Sequence, residues 1–137
     1  MITKKAEYAI SALVELAKLA PGTQVTTREI ARRRNIPANL IMPLVSSLRE
    51  AGWVNSSRGP GGGIKLSRNP ADITLRQVIE LYDGPISIIR CLLQDSPCRN
   101  QTDCSLRNVW AEAQLKMLEV LERVTVKELA DAGEVTS

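Results

Sequence analysis

The sequence contains no histidine and no phenylalanine, and its only aromatics are two tryptophans and two tyrosines. Without histidine there can be no Ser–His–Asp triad and no imidazole metal ligand. Without phenylalanine, the core must be built from Leu, Ile, Val and Ala. No apolar run approaches the roughly 20 residues needed to span a membrane. No phosphate-cradling glycine loop of the nucleotide-binding kind is present. These absences argue against an enzyme. The opening Met1-Ile2-Thr3-Lys4-Lys5-Ala6-Glu7 lacks the uninterrupted apolar core and cleavage site of a signal peptide, so a cytoplasmic location is expected. Cysteine is scarce as well. The chain has three in 137 residues, Cys91, Cys98 and Cys104, all in one short stretch. In a reducing compartment such thiols point to metal binding or redox sensing rather than a structural disulfide.

The overall charge of +3 hides an asymmetry. Residues 1–66 hold ten Lys/Arg against four Asp/Glu, whereas residues 67–137 hold eight against eleven. The basic half is the one suited to a polyanion.

Local signals divide the chain. Thr3 can cap a first helix over about 4–20, with an apolar stripe through Ala6, Ala9, Ile10, Leu13, Leu16, Ala17 and Ala20, ended by Pro21-Gly22. Thr26 and Glu29 have capping-box spacing and start a second helix that runs to about Arg34 and stops at Asn35. Ile36-Pro37-Ala38-Asn39 opens a third, to about Ala51, with Gly52 as its stop. Two short helices joined by a tight turn predict a helix-turn-helix. Trp53–Ser56 and Ile64–Leu66 read as strands around the turn-rich Ser57-Arg58-Gly59-Pro60-Gly61-Gly62-Gly63, a hairpin wing. Thr74 and Gln77 start a helix over about 75–82, closed by Asp83-Gly84-Pro85. A long helix over about 105–124 carries Leu106, Trp110, Ala113, Met117, Val120 and Val124 at heptad spacing, which favours pairing across a dimer over packing onto its own domain. Thr125 and Glu128 start a last short helix. The expected fold is mainly α. Residues 1–83 form a winged helix-turn-helix with a two-stranded wing, 84–104 form a cysteine-containing loop, and 105–137 form a dimerisation helix with a short C-terminal helix.

The third helix has the size to enter a major groove. Ala38, Asn39, Ile41, Met42, Ser46 and Arg49 are its expected exposed residues, and Asn39 and Ser46 can bond to bases or phosphates. Arg28, Arg32 and Arg33 on the preceding helix suit phosphate contacts, which position a reader without reading sequence. Arg58, on a glycine-rich finger, suits a narrow minor groove. Lys4, Arg49 and Gly61 complete the expected DNA-contacting set. Pro43 is at odds with the helix around it, because proline removes a backbone donor and crowds the preceding turn. Either the helix starts nearer Leu40 or it is kinked.

The cysteines are spaced Cys-x6-Cys-x5-Cys. Zinc ribbons use tighter pairs. Looser spacing on a loop suits an iron–sulfur cluster, while reactive thiols and zinc remain open readings. Soft thiolates exclude magnesium and calcium. Arg90, Arg99 and Arg107 flank the site and would favour thiolates and an anionic cluster. Three cysteines leave one position short. Glu7, Asp95, Asp103 or an exogenous ligand could fill it.

Several stretches together resemble the winged-helix regulators typified by IscR, NsrR and RirA. They are Thr3-Lys4-Lys5-Ala6-Glu7-Tyr8-Ala9, Glu29-Ile30-Ala31, Leu48-Arg49-Glu50-Ala51-Gly52-Trp53-Val54, the wing Arg58-Gly59-Pro60-Gly61-Gly62-Gly63, Ile73-Thr74-Leu75, and Arg90-Cys91…Cys98…Cys104 followed by Trp110. The resemblance spans nearly the whole chain. It implies a homodimeric transcription factor, usually a repressor, on double-stranded, pseudo-palindromic DNA. It also implies that Cys91, Cys98 and Cys104 hold the cluster, with 4Fe–4S favoured and 2Fe–2S possible. An acidic residue of the partner's first helix can be a ligand in related members, and Glu7 falls at that position. Where the cluster-biogenesis branch has histidine three residues after the last cysteine, this chain has Arg107. The signal could be iron, iron–sulfur status, nitric oxide, oxygen or another redox cue. Cluster loss would disorder residues 90–104 and, through the long helix, change the spacing of the two readers. The alternative is a cluster-free regulator whose cysteines act as redox-sensitive thiols.

Overall fold

The hydroxyl of Thr3 accepts the Ala6 N–H at 3.3 Å and so starts the first helix, α1 (Lys4–Ala17). In the computed structural model, which describes residues 2–87 and 104–132, α1 is the central element. Its Ala6, Ala9, Ala12, Leu13 and Val14 are fully buried. The small side chains let neighbours approach closely, and α1 packs against four of the other helices. It stops at Ala17, short of the expected 20. Pro21 disfavours the helical conformation at the residue before it, so the last turn is not completed.

The second helix, α2 (Thr27–Arg34), ends at Asn35, which takes the left-handed conformation at φ 54°. Asparagine tolerates this region better than most residues, and the sharp turn sends the chain into α3 (Ala38–Glu50). Here two sequence expectations are corrected. The helix begins at Ala38 and continues through Pro43, so the later start near Leu40 does not hold. Ile41 is 5 % exposed and belongs to the core with Leu44, Val45 and Leu48. Those four positions form the inward stripe of a helix, which places Ile41 among them.

The wing is an antiparallel pair, β1 (Val54–Ser57) and β2 (Gly63–Leu66), in register Val54↔Leu66 through Ser57↔Gly63. Val25, just before α2, also exchanges both main-chain bonds with Ile64, at 3.1 and 2.7 Å. A side chain on Gly63 would collide with the Val25 carbonyl, the hypothetical Cβ lying 2.4 Å from that oxygen. Glycine is therefore required where the wing meets the helix-turn-helix.

A short turn at Pro70–Asp72 leads to α4 (Leu75–Asp83), whose capping box is complete. Gln77 N–H donates to the Thr74 hydroxyl, and the Gln77 side chain accepts from Thr74 N–H. The long helix α5 (Cys104–Arg123) and α6 (Val126–Ala132) follow. The chain between them returns to the start of α4. Leu75 N–H reaches Val124 O at 3.0 Å, and Val126 N–H reaches Ile73 O at 2.9 Å. Val126 is fully buried in the main core. The heptad seam of α5 is shared between two surroundings. Trp110, Met117 and Val124 are half-buried, while Leu106, Ala113 and Val120 are exposed. Among the described residues no helix is long and apolar enough to cross a membrane.

Candidate nucleic-acid interface

Burial fixes the outward face of α3. With Ile41, Leu44, Val45 and Leu48 turned inward, Ala38, Asn39, Met42, Pro43, Arg49 and Glu50 are left exposed, and Ser46 is half-buried. Arg49 donates to the Ser56 hydroxyl at 3.0 Å, which ties the end of α3 to the first wing strand. The same strand is held again at its far end, where Ser57 donates to the Gln24 side chain. At the tip, Arg58 and Gly61 are both exposed. Gly61 adopts φ 76°, and nothing lies within 4 Å of where a Cβ would be. Among the described residues no ion pair holds Arg58 or Arg28, so both cations face solvent uncommitted.

Arg32 and Arg33 are engaged differently. Both donate to the Glu29 carboxylate, with Arg32 Nε at 2.9 Å and Arg33 Nε at 3.0 Å. Arg33 also reaches Glu15 on α1 at 3.5 Å. The hydrogen bond from Arg32, followed by that from Arg33, pulls the Glu29 carboxyl from 4.5 down to about 2. In return Glu29 raises the pKa of Arg32. The expected capping box at α2 is thus half made. Thr26 accepts the Glu29 N–H at 3.1 Å, but the carboxylate goes to the two arginines rather than back to the helix start. Guanidinium groups three and four residues on are stronger partners than one backbone N–H. Arg34, only 10 % exposed, bonds Glu15 at 3.2 Å and the Ser11 carbonyl at 3.3 Å, and so fastens α2 to α1.

Lys4 and Glu7 lie on the first turn of α1. Lys4 Nζ is 3.4 Å from Glu7 and 5.7 Å from the centre of the Tyr8 ring. That turn is anchored to the end of α4, where Asp83 accepts from Thr3 N–H at 2.9 Å and from the Thr3 hydroxyl. Tyr82, next to Asp83, donates its phenolic proton to Leu44 O of α3 at 2.9 Å. The last turn of α4 therefore touches both the start of α1 and the middle of α3. Sequence reasoning missed Tyr82, Ser56 and the pairing role of Glu29. Of these, only Glu29 left a local trace, its spacing from Arg32 and Arg33.

Cys91, Cys98, Asp95 and Asp103 lie outside the described residues. Cys104 is the first residue of α5, and Arg107, one turn on, is exposed. The cysteine segment therefore joins the end of α4 to the start of α5.

The family model described as "Rrf2: Iron-dependent Transcriptional regulator" matches residues 2–132. The chain is 31 % identical over 134 residues to the HTH-type transcriptional regulator IscR of Aliivibrio salmonicida, covering 98 % of this chain and 79 % of that one. It is 31 % identical over 129 residues to the HTH-type transcriptional regulator NsrR of Bacillus subtilis, covering 93 % and 88 %. The structure of CymR, the global cysteine regulator of B. subtilis, superposes with a TM-score of 0.83 at 31 % identity, over 98 % of each chain. These relatives are regulators rather than enzymes, and the match runs through the helix-turn-helix, the wing and the long helix alike: the chain belongs to the Rrf2 family of winged-helix transcriptional regulators.

Proposed function

We propose that this regulator is a homodimeric repressor whose affinity for a pseudo-palindromic operator is set by the state of Cys91, Cys98 and Cys104. Asn39 and Ser46 on α3 would meet the major groove, Arg28, Arg32 and Arg33 the phosphates, and Arg58 with Gly61 the flanking minor groove. Two copies would pair through the exposed flank of α5, at Leu106, Val109 and Val120. Their half-sites would then lie about one helical turn or more apart.

The observation that carries the gating is the last turn of α4. It leads directly into the cysteine segment, and it bonds to α3 through Tyr82 and to α1 through Asp83. A change of conformation in residues 84–104 would act on that turn first, and Tyr82 would pass it to the recognition helix.

The donor set fits an iron–sulfur cluster, with 4Fe–4S favoured. Three soft thiolates come from one segment. Glu7 of the partner subunit is proposed as the fourth ligand. In this chain Glu7 is half-exposed and engaged with Lys4 in a surface pair that a metal could displace. When bound, the cluster supplies a group that responds to iron, iron–sulfur status, nitric oxide or redox state. The protein's own contribution is to hold that group beside a turn hydrogen-bonded to the DNA reader. The resemblance to a cysteine regulator supports a second reading, in which the thiols respond without a cluster.

Anaerobic purification with absorption and Mössbauer spectra, before and after Glu7→Ala, separates the two. A brown protein whose cluster signature changes in the variant supports the cluster and its ligand. A colourless, iron-free protein whose DNA binding still depends on its thiols supports the second reading. In either case Cys98→Ala should abolish the response and leave the fold intact. A variant that still switches normally would refute cysteine gating.

A further inference from the structure

In helix-turn-helix readers the first residues of the recognition helix meet base edges. The exposed residues in the first two turns of α3 are Ala38, Asn39, Met42 and Pro43, and three of these cannot hydrogen-bond to a base. Met42 is 61 % exposed, while Ile41, Leu44, Val45 and Leu48 of the same helix are buried. At about 3.6 residues per turn, Met42 and Pro43 fall on either side of the line through Asn39 and Ser46. Met42 shares its flank with Arg49, the residue bonded to Ser56, so it lies on the wing side of the helix. One exposed methionine is ordinary on a protein surface. Two adjoining apolar residues bracketing an asparagine, at the tip that enters the groove, make a surface with a defined complement.

The major groove offers a single apolar group, the 5-methyl of thymine. Asparagine in the same groove pairs with N6 and N7 of adenine. We infer that Met42, with Pro43 beside it, reads a thymine methyl group next to an adenine read by Asn39. Each half-site then carries an A/T step where α3 enters. The unbranched thioether can follow the position of the methyl group, and it provides no donor or acceptor for a G·C edge. This inference rests on the assignment of α3 as the DNA-reading helix.

The test begins by selecting binding sites from a random duplex pool. The probe is the anaerobically purified full-length protein, with and without reconstitution by iron and sulfide. Each thymine of the selected half-site is then replaced by deoxyuridine, which removes the methyl group and nothing else. One replacement should weaken binding about three- to fivefold, the effect of one buried methyl. Met42→Ala should lose that sensitivity and Met42→Leu should keep it, both with an unchanged thermal midpoint because the side chain is exposed. If no sequence is enriched, the DNA-reading function falls and the inference with it. If sites are enriched but the deoxyuridine scan is flat, or if the sensitivity survives in Met42→Ala, the inference alone is overturned.

Discussion

Tyr82 and Leu44 lie 38 residues apart in sequence and are joined by a hydrogen bond of 2.9 Å from a phenol on α4 to a main-chain carbonyl within α3. That carbonyl belongs to the helix proposed to enter the major groove. The phenol belongs to the turn from which the cysteine segment departs. Burial pushes the Tyr82 hydroxyl well above its ordinary pKa, so it keeps its proton, and the donor persists throughout the range in which the protein works.

Tyr82→Phe removes this bond, together with the phenol's interaction with the Ser47 hydroxyl. It should cost about 1 kcal/mol of stability, the usual net worth of one such hydrogen bond, read as a lower denaturation midpoint. Its larger effect should be on communication. The ratio of DNA affinities between the two states of the cysteine site should shrink towards one in a titration of operator DNA. An unchanged ratio would mean that the signal takes another route.

Glu29 occupies the two arginines expected to meet phosphates. DNA must therefore replace a carboxylate before Arg32 and Arg33 can contribute. Glu29→Gln should tighten binding to non-specific duplex and steepen its salt dependence by about one unit of log–log slope. The pairing is also visible as a titration. A carboxyl held at about 2 against an ordinary 4.5 stabilises the fold above pH 4.5, and that contribution fades as the pH falls from 4.5 through 2. The side-chain carbon of Glu29 should titrate near 2 by NMR, and near its ordinary value once Arg32 and Arg33 are both replaced by alanine.

Arg58 stands at the wing tip with no ionic partner among the described residues. Arg58→Ala should weaken operator binding by about tenfold and reduce the salt slope by about one unit, without changing thermal stability. Narrow, A/T-rich flanks should lose the most.

The parts of this molecule that were legible in the sequence are those specified by neighbours in the chain. The Thr74–Gln77 capping box, the left-handed stop at Asn35 and the glycine-rich wing all follow from residues a few positions apart. Where local signals competed, the reading went astray. Glu29 has capping-box spacing from Thr26 but sits three and four residues before Arg32 and Arg33, and the arginines prevail. Ile41 stands at i, i+3, i+4, i+7 spacing with Leu44, Val45 and Leu48, so the helical period places it inward, although it was expected among the exposed residues. The seam of α5 was visible, but its division between a half-buried Trp110 and an exposed Leu106 was not. Contacts such as Tyr82 to Leu44 or Arg49 to Ser56 leave no periodic trace. Of the cysteine site, the residue types and their spacing could be read; Cys91 and Cys98 lie outside the described residues.

The main-chain pairing of Val25 with Ile64, sealed by the absence of a side chain at Gly63, turns the wing from an appendage into part of the frame that carries the helices. Such a frame behaves as a caliper. The span from the tip of α3 to Arg58 is set by backbone bonds on both sides of β2 and cannot stretch to suit the DNA. Moving the minor-groove contact by one base pair relative to the major-groove contact should therefore harm binding more than changing any single base, because a substitution removes one contact while an insertion displaces all those on one side of it.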